Sequence, residues 1–291
     1  MKNLEQLAVL ATSLPANLKD NASTLVATMG EIIEGFGDKP LEWSPSNLKL
    51  VQATTDRTKI PKTAGIGSLL LGETVLEQPF KVIPIRIDTT RQYWNPDNTK
   101  AQMLCSSPDA KFGFMYGDCY QCPHSKFDEE ANRSACNKSV SILCATADLT
   151  DVFNVTFTKT NYVNGTDWRG LMAKLKTVPY RRFYNLTTES SPKAKNVEII
   201  KAAGILNEKV EGPLFDFVEE LFKLSKATRE DHLLKFYQYL DAKKEKSVLS
   251  LASPTSTIAL ISDQSDDPEV DILPPEAGTK TVTSAAKKYN L

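Results

Sequence analysis

The chain has few of the side chains on which enzymes depend for proton transfer and metal catalysis. Among its 291 residues are two histidines, His124 and His232, and five cysteines. It contains no Ser/His/Asp grouping, no phosphate-binding loop and no glycine-rich dinucleotide fingerprint. We therefore predict that the protein is not an enzyme.

Long apolar runs and a strong charge imbalance are also missing. No stretch approaches the roughly 18 consecutive apolar residues of a membrane-spanning helix. The apolar run near the N-terminus is short and is interrupted by Glu5, so we expect no signal peptide. A net charge of -1 excludes a histone-like polycation. We predict a cytoplasmic protein (in the host cytoplasm if the chain is viral), where reducing conditions disfavour disulfides.

Hydrophobic periodicity divides the chain into four regions. Residues 1–40 have apolar side chains at helical spacing, residues 41–211 carry short β-like runs and one helix, and residues 212–246 are helical again. Residues 247–291 are polar, proline-rich and acidic, which is typical of a disordered tail. The predicted fold is α+β: an OB-like small β-barrel flanked by N-terminal and C-terminal helices.

One predicted strand contains a proline. In FKVIPIRIDTT the residues Ile83, Ile85 and Ile87 alternate with polar residues and Pro84, which predicts a half-buried strand. Because proline cannot donate a ladder hydrogen bond, Pro84 indicates an edge strand or a bulge.

Four of the five cysteines lie within residues 105–136, where their spacing is symmetric. Thirteen residues separate Cys105 from Cys119, two separate Cys119 from Cys122, and thirteen separate Cys122 from Cys136. A Cys-x2-Cys turn with one cysteine on either side can surround one tetrahedral Zn²⁺ with thiolates. The spacing therefore predicts one structural zinc ion, and such a closed site leaves no open position for catalysis.

Other roles for these cysteines agree less well with the sequence than zinc binding does. A redox dithiol needs a thioredoxin-like βαβ context, which is missing, and it leaves the outer cysteines unexplained. Two disulfides disagree with a reducing compartment. His124 could replace one thiolate, with Cys105 the first candidate because it is the most distant ligand. The fifth cysteine, Cys144, lies in an apolar strand and is expected to be a buried core residue.

Basic and aromatic residues interleave around the cysteine segment, a pattern typical of proteins that bind single strands. Bases stack on aromatic faces while lysine and arginine follow the phosphates. The predicted nucleic-acid contacts are Arg86, Arg91, Tyr93, Trp94, Lys111, Phe114, Tyr116, Lys138, Lys159, Arg181, Arg182 and Tyr184.

Four segments in this order resemble phage-type single-stranded DNA-binding proteins with an OB fold and an inserted four-cysteine zinc element: RQYW, LCSSPDAKFG, CYQCPHS and ACNKSVSILCATADL. The resemblance covers about residues 80–190. It implies that Cys105, Cys119, Cys122 and Cys136 are the zinc ligands and that the protein protects single-stranded DNA. The acidic FDEEANRS differs from the small, glycine-rich stretch expected there, which favours a structural role for the zinc loop.

Together these observations predict a sequence-independent single-stranded DNA-binding protein acting in phage-type replication, recombination or transcription. The helical ends would serve homo-oligomerisation or partner contact, and the acidic tail would recruit replication or transcription proteins. The alternative is a zinc-ribbon interaction factor, associated with RNA polymerase or inhibiting host defence, that docks proteins through its cysteine segment without binding nucleic acid.

Overall fold

The computed structural model describes residues 2–34, 45–95, 103–129, 133–175, 178–192 and 194–251. The helices are α1 (Lys2–Ser13), α2 (Ala16–Glu34), α3 (Tyr162–Lys174) and α4 (Gly212–Leu251). The strands are β1 (Ser46–Asn47), β2 (Lys49–Leu50), β3 (Leu69–Leu71), β4 (Thr74–Leu76), β5 (Phe80–Trp94), β6 (Met103–Ser107), β7 (Phe112–Gly113), β8 (Gly117–Asp118), β9 (Phe127–Asp128), β10 (Arg133–Ser134), β11 (Cys136–Thr146), β12 (Val152–Thr158), β13 (Arg182–Ser190) and β14 (Glu198–Lys209).

The main sheet is built around the 15-residue strand β5. Its strand order is β1-β12-β11-β5-β13-β14, and β6 also pairs with β5. Strand β11 follows one side of β5 along most of its length. On the other side β13 pairs with the start of β5 and β6 pairs with its end. All of these pairings are antiparallel except that of β1 with β12.

A bulge in β5 changes which residues face each side of the sheet. Leu143 pairs with Arg86 and Cys144 pairs with Pro84, so Ile85 is the extra residue. Ile83 and Ile85 belong to one core, whereas Ile87 packs against the other. The bulge predicted from Pro84 is thus confirmed. The alternative of an edge strand is wrong, because β5 is central.

Each face of the sheet has its own hydrophobic core. On one face, the first core joins β5 and β11 to α1, α2 and the first half of α4, with Leu7, Met29, Phe217 and Leu221 fully buried. On the other face, α3 covers Phe153, Val155 and Phe157 of β12 through Trp168 and Met172. The helices predicted at the two ends of the chain therefore pack on the sheet, and residues up to Glu245 form one compact unit.

The mixed α+β class is confirmed, but the sheet does not close into a barrel within the described residues. Strands β12 and β14 are not paired with each other there. The helical region predicted for residues 212–246 is a single helix, α4, which extends to Leu251. Most of the predicted acidic tail, residues 252–291, lies outside the described residues. None of the described helices is long and apolar enough to cross a membrane.

Helix α3 approaches β12 closely at a glycine. A Cβ atom at Gly165 would lie 2.6 Å from the Cβ of Phe157, whereas one at Gly170 in the same helix would meet nothing within 4 Å. The helix begins at Tyr162, and in its second turn the Thr166 hydroxyl donates to the Val163 carbonyl at 2.7 Å. The backbone of α3 can therefore lie directly on the Phe157 side chain.

Replacement of Gly165 by alanine should destabilise the protein, because the new methyl group overlaps Phe157 and overpacking costs about 1–3 kcal/mol. The matched control Gly170→Ala should be neutral or stabilising by up to about 1 kcal/mol, because alanine is the better helix former. Urea unfolding of both variants measures the difference. Equal stabilities would show that α3 does not depend on this contact.

Candidate metal centre and the basic row beside it

Strand pairing brings two of the four predicted zinc ligands to one face of the sheet. Tyr93 of β5 pairs with Cys136 of β11 on one side and with Cys105 of β6 on the other. Directly opposite residues of antiparallel strands carry their side chains on the same face. The strands therefore place Cys105 and Cys136 on either side of the Tyr93 ring.

A short hairpin and a tight turn carry the other two cysteines. Strands β7 and β8 pair, and Gly117 adopts a left-handed φ of 69° before the turn. The Cys122 amide donates to the Asp118 carbonyl at 3.0 Å, and the Ser125 hydroxyl donates to the Cys122 carbonyl at 2.8 Å. These bonds fix the backbone that presents Cys119 and Cys122.

All four cysteines are free, buried and line one small cavity. Its volume is about 10 Å³, close to that of a single water-sized sphere. A Cβ atom at Gly113 would lie 2.7 Å from the Cys105 Sγ, so a larger residue there would fill the space that this thiol occupies. In the described part of the chain, however, no three His, Cys, Asp or Glu side chains form a set that could hold a metal ion. The thiols thus share a cavity, and zinc ligation stays a prediction.

The electrostatics of the cavity disfavour thiolates when no cation is bound. Burial is the largest effect and raises the pKa of the Cys119 and Cys136 thiols, and the neighbouring thiols raise it further. The Arg91 guanidinium acts on both in the opposite direction, as does a hydrogen bond from Ser107 to Cys119. Zinc binding would therefore have to release protons from the thiols.

His124 also lines the cavity, and its ring is held by aromatic contacts. The ring stacks on Tyr93 with centroids 4.2 Å apart and planes 14° apart. Tyr116 contacts both rings edge-on. Cys105 and His124 thus both line the cavity, and the His124 ring is already engaged by two aromatic side chains.

The second half of α4 holds the cysteine segment from the opposite face of the sheet. Arg229 bonds to Asp88 at 3.3 Å and to the Pro108 carbonyl, and the Lys243 ammonium donates to the Phe114 carbonyl at 3.2 Å. The Tyr237 hydroxyl donates to Asp109. These contacts join α4 to the loop that leads towards Cys119.

Asp109 is the central acceptor of this contact. It also accepts from the Ser107 hydroxyl at 3.2 Å and the Lys111 amide at 2.8 Å. Partial burial opposes ionisation, but the hydrogen bonds outweigh it and lower the pKa of Asp109. Burial and the nearby Asp109 carboxylate raise the pKa of Tyr237 to about 12.

Three of the predicted nucleic-acid contacts form a row beside the cavity. Arg91 pairs directly with Lys138, and both lie on the face that carries Tyr93 and Cys136. Ser139 pairs with Thr158, the last residue of β12, and Lys159 follows it at the start of a turn, with a left-handed φ of 49°. We call Arg91, Lys138 and Lys159 the basic row.

Two predicted stacking residues are in the wrong place for that role. Tyr184 is buried in the α3 core with its ring 5.6 Å from Trp168, because it alternates with other inward-facing residues of β13. Tyr93 is buried beneath His124. Neither ring is available to stack on a base.

The remaining predicted contacts do not converge on one surface. Arg86 bonds to Asp88 and to the Ser225 carbonyl, on the α4 face. Arg181 lies over the Phe215 ring at 4.8 Å, and Arg182 follows it at the start of β13. Around the cysteine segment, Trp94, Lys111 and Tyr116 are exposed, and Phe114 is half-buried near Lys243.

Several exposed apolar side chains of the cysteine segment were not among the predicted contacts. Tyr120 is 75% exposed and Phe127 is 65% exposed, and Phe112 and Met115 are also exposed. The sequence offered one signal for Tyr120: it lies inside the Cys-x2-Cys turn, which has to project from the sheet. Nothing in the sequence around Phe127 indicated that its side chain is exposed.

No protein-family model, curated protein or solved structure matches the chain.

Replacement of Cys119 by serine should abolish zinc binding and lower the melting temperature of the whole unit, since metal binding and folding share one free energy. Cys144→Ala is the matched control, because it removes the one cysteine outside the cavity. We expect about one zinc per chain in the control and none in Cys119→Ser. Metal analysis and thermal melting provide the readouts. Zinc-free wild-type protein, or an unchanged melting temperature of Cys119→Ser, would contradict the prediction.

Replacement of Tyr237 by phenylalanine should destabilise the protein by about 1 kcal/mol at pH 7, because Asp109 loses a charge-assisted hydrogen bond at a partly exposed site. The folded pKa of Asp109 is lowered, so this stabilisation is present above its unfolded pKa near 3.9 and is lost as pH falls through the folded pKa. Urea unfolding of the wild type and the variant from pH 7 to pH 3 should show the difference shrinking in acid.

Tyr239→Phe is the control, because Tyr239 is an exposed residue of the same helix. Its stability should match that of the wild type at every pH. A Tyr237→Phe effect that stays constant into acid would show that Asp109 is not its cause.

Proposed function

We propose that the protein binds single-stranded DNA without sequence preference, on the sheet face that carries the basic row. The observation behind the proposal is the direct cross-strand pair of Arg91 and Lys138. Like charges directly opposite each other destabilise a sheet. An anion bound across the pair removes this repulsion, and a phosphate backbone offers anions at regular intervals.

Exposed aromatic side chains beside the row support the proposal. Tyr116 is 43% exposed and lies against Tyr93 and His124, next to the cavity. Aromatic stacking tolerates any base, because every base has a π-face. A strand whose phosphates follow the basic row would have Tyr116 as its nearest stacking platform.

The proposed zinc ion would be structural. The four thiols are the donor set that Zn²⁺ prefers, they share one ion-sized cavity, and Gly113 leaves room for the Cys105 thiol. Zinc bound there would join β6 and β11 to the Cys119–Cys122 turn. In this proposal the domain is a variant of the OB type with a zinc-binding insertion, and its sheet is left open between β12 and β14.

The cysteine segment itself is a poor neighbour for phosphates. Asp128 and Glu129 are exposed, and a zinc tetrathiolate carries a charge of about -2. We therefore assign the phosphate contacts to β5, β11 and Lys159. As in the sequence-based prediction, residues 247–291 would recruit replication or transcription proteins in the cytoplasm.

A second candidate function follows from the exposed apolar residues of the same segment. Phe112, Met115, Tyr120 and Phe127 are apolar, exposed and close in sequence. Exposed apolar clusters mark protein-interaction sites. In that case the segment docks a partner protein, and the basic row has no nucleic-acid ligand.

Binding of a fluorescein-labelled 30-mer of oligo-dT tests the first proposal. With three cations in contact, the slope of log K against log salt should be about -2. Lys138→Glu should weaken binding roughly tenfold at low salt and make the slope shallower by about one, because one phosphate contact is lost. Fluorescence anisotropy at several salt concentrations measures both quantities.

Lys19→Glu is the charge-matched control, since Lys19 is exposed on α2, which covers the opposite face of the sheet. It should bind as the wild type does. If zinc-loaded protein fails to bind the 30-mer even at low salt, the protein-docking function is the better account.

A further inference from the structure

Strand β12, whose outer edge pairs with β1 only at Phe153 and Asn154, and strand β14 lie on two sides of a groove. The groove has a volume of about 690 Å³ and is lined by Thr156 and Thr158 of β12 and by Glu198 and Ile200 of β14. Residues 48–54 also line it, and they bond to β12 through the Leu48 amide and to β14 through the Gln52 side chain. Side chains already hydrogen-bond to the backbone of β14 where it faces the groove. On β12, one backbone position that faces the groove has no such partner among the described residues.

The β14 wall is capped by side chains. The Gln52 amide nitrogen donates to the Glu198 carbonyl, and its amide oxygen accepts from the Glu198 N–H, both at 2.8 Å. The Asn161 side-chain oxygen accepts from the Ile200 N–H at 3.3 Å. These contacts occupy the groups that would otherwise pair with a further strand.

The β12 wall is open at Thr156. Pairing with β1 ends at Asn154, whose carbonyl accepts from the Leu48 N–H at 2.8 Å. Alternate residues of a strand point their N–H and C=O to the same edge. Thr156 is thus the next residue to face the groove, and no backbone group of the described residues outside the strand pairing bonds to it.

The charges and side chains of the groove determine which kind of extended ligand it can bind. Lys159 and Lys195 are exposed and line it, whereas the Glu198 carboxylate accepts from the Ser190 hydroxyl at 2.9 Å. An acidic ligand is therefore complementary. No aromatic residue belongs to the lining, so nothing here can stack on a nucleobase.

We propose that this groove binds an extended peptide with acidic side chains, which adds to β12 as a strand. The Thr156 N–H would pair with the peptide backbone, and Lys159 and Lys195 would bind its carboxylates. This is β-augmentation, in which backbone bonds give affinity and alternate side chains give specificity. Lys159 belongs to the basic row as well, so the inference is tested at Thr156 and Lys195, which lie outside that row and do not depend on DNA binding.

A blocked, fluorescein-labelled hexapeptide of sequence Val-Asp-Val-Asp-Val-Glu tests the proposal with the full chain. Thr156→Pro removes the N–H that faces the groove and leaves the β11 side of β12 intact, so binding should weaken about fivefold. Lys195→Glu should weaken it roughly tenfold by reversing a charge near the ligand. On the unaltered protein, hydrogen exchange of the Thr156 amide should slow when the peptide is added.

Two controls separate this site from the basic row. Lys138→Glu should leave peptide binding unchanged while weakening oligo-dT, and the hexapeptide with lysine at its acidic positions should not bind. The proposal is overturned if the acidic peptide does not bind saturably, or if it binds equally well to Lys195→Glu and Thr156→Pro. Slowed exchange at Thr156 with oligo-dT instead of the peptide would also overturn it. The exchange measurement needs no variant, so it decides the question even if Thr156→Pro does not fold.

Discussion

The antiparallel pairing of β5 with β11 is the constraint on which the rest of the structure depends. It sets Tyr93 opposite Cys136 and Arg91 opposite Lys138, and the bulge at Ile85 determines which face these residues occupy. A slip of one residue would move every side chain to the other face. The thiols would then face α4, and the basic row would lose its place beside the cavity.

The packing around the cavity is too small to hold the cysteine segment by itself. Tyr93, Cys105 and Cys136 form a separate cluster that only Leu104 and Phe114 extend. Small cores give little stability and are usually supplemented by metals or other cross-links. Helix α4 supplies one supplement through its bonds to Asp109 and the Pro108 carbonyl. The proposed zinc ion would be the other, acting from the opposite face.

The features that could be predicted from the sequence are those that depend on local pattern. Alternation identified β5, helical spacing identified the N-terminal helices, and symmetric spacing singled out the four cysteines that share a cavity. Pro84 also indicated the bulge, because a proline disrupts strand pairing at its own position. These features can be recognised in the sequence without knowing which residues pack against them.

What could not be predicted depends on distant partners. Tyr184 has the neighbours of a surface aromatic residue in the sequence, between Arg182 and Asn185, yet Trp168 and Gly204 enclose it. Arg86 has the sequence context of a phosphate contact, but it bonds to α4 more than a hundred residues later. The open sheet is a similar case, because closure is decided by whether β12 and β14 meet.

Arg91 lies between the proposed DNA-binding surface and the proposed zinc site. Its position therefore determines how a bound zinc ion would affect DNA binding. It belongs to the basic row and lies close enough to Cys119 and Cys136 to oppose the rise in their pKa. A bound zinc ion with four thiolates adds about two negative charges beside Arg91, whereas raised pKa values keep the metal-free Cys119 and Cys136 thiols neutral. By charge alone, then, zinc would weaken the attraction of the row for phosphates. Any gain in DNA affinity on zinc binding must therefore come from fixing β6, β11 and Tyr116 in place, and this is the structural role that the closed thiol set implies.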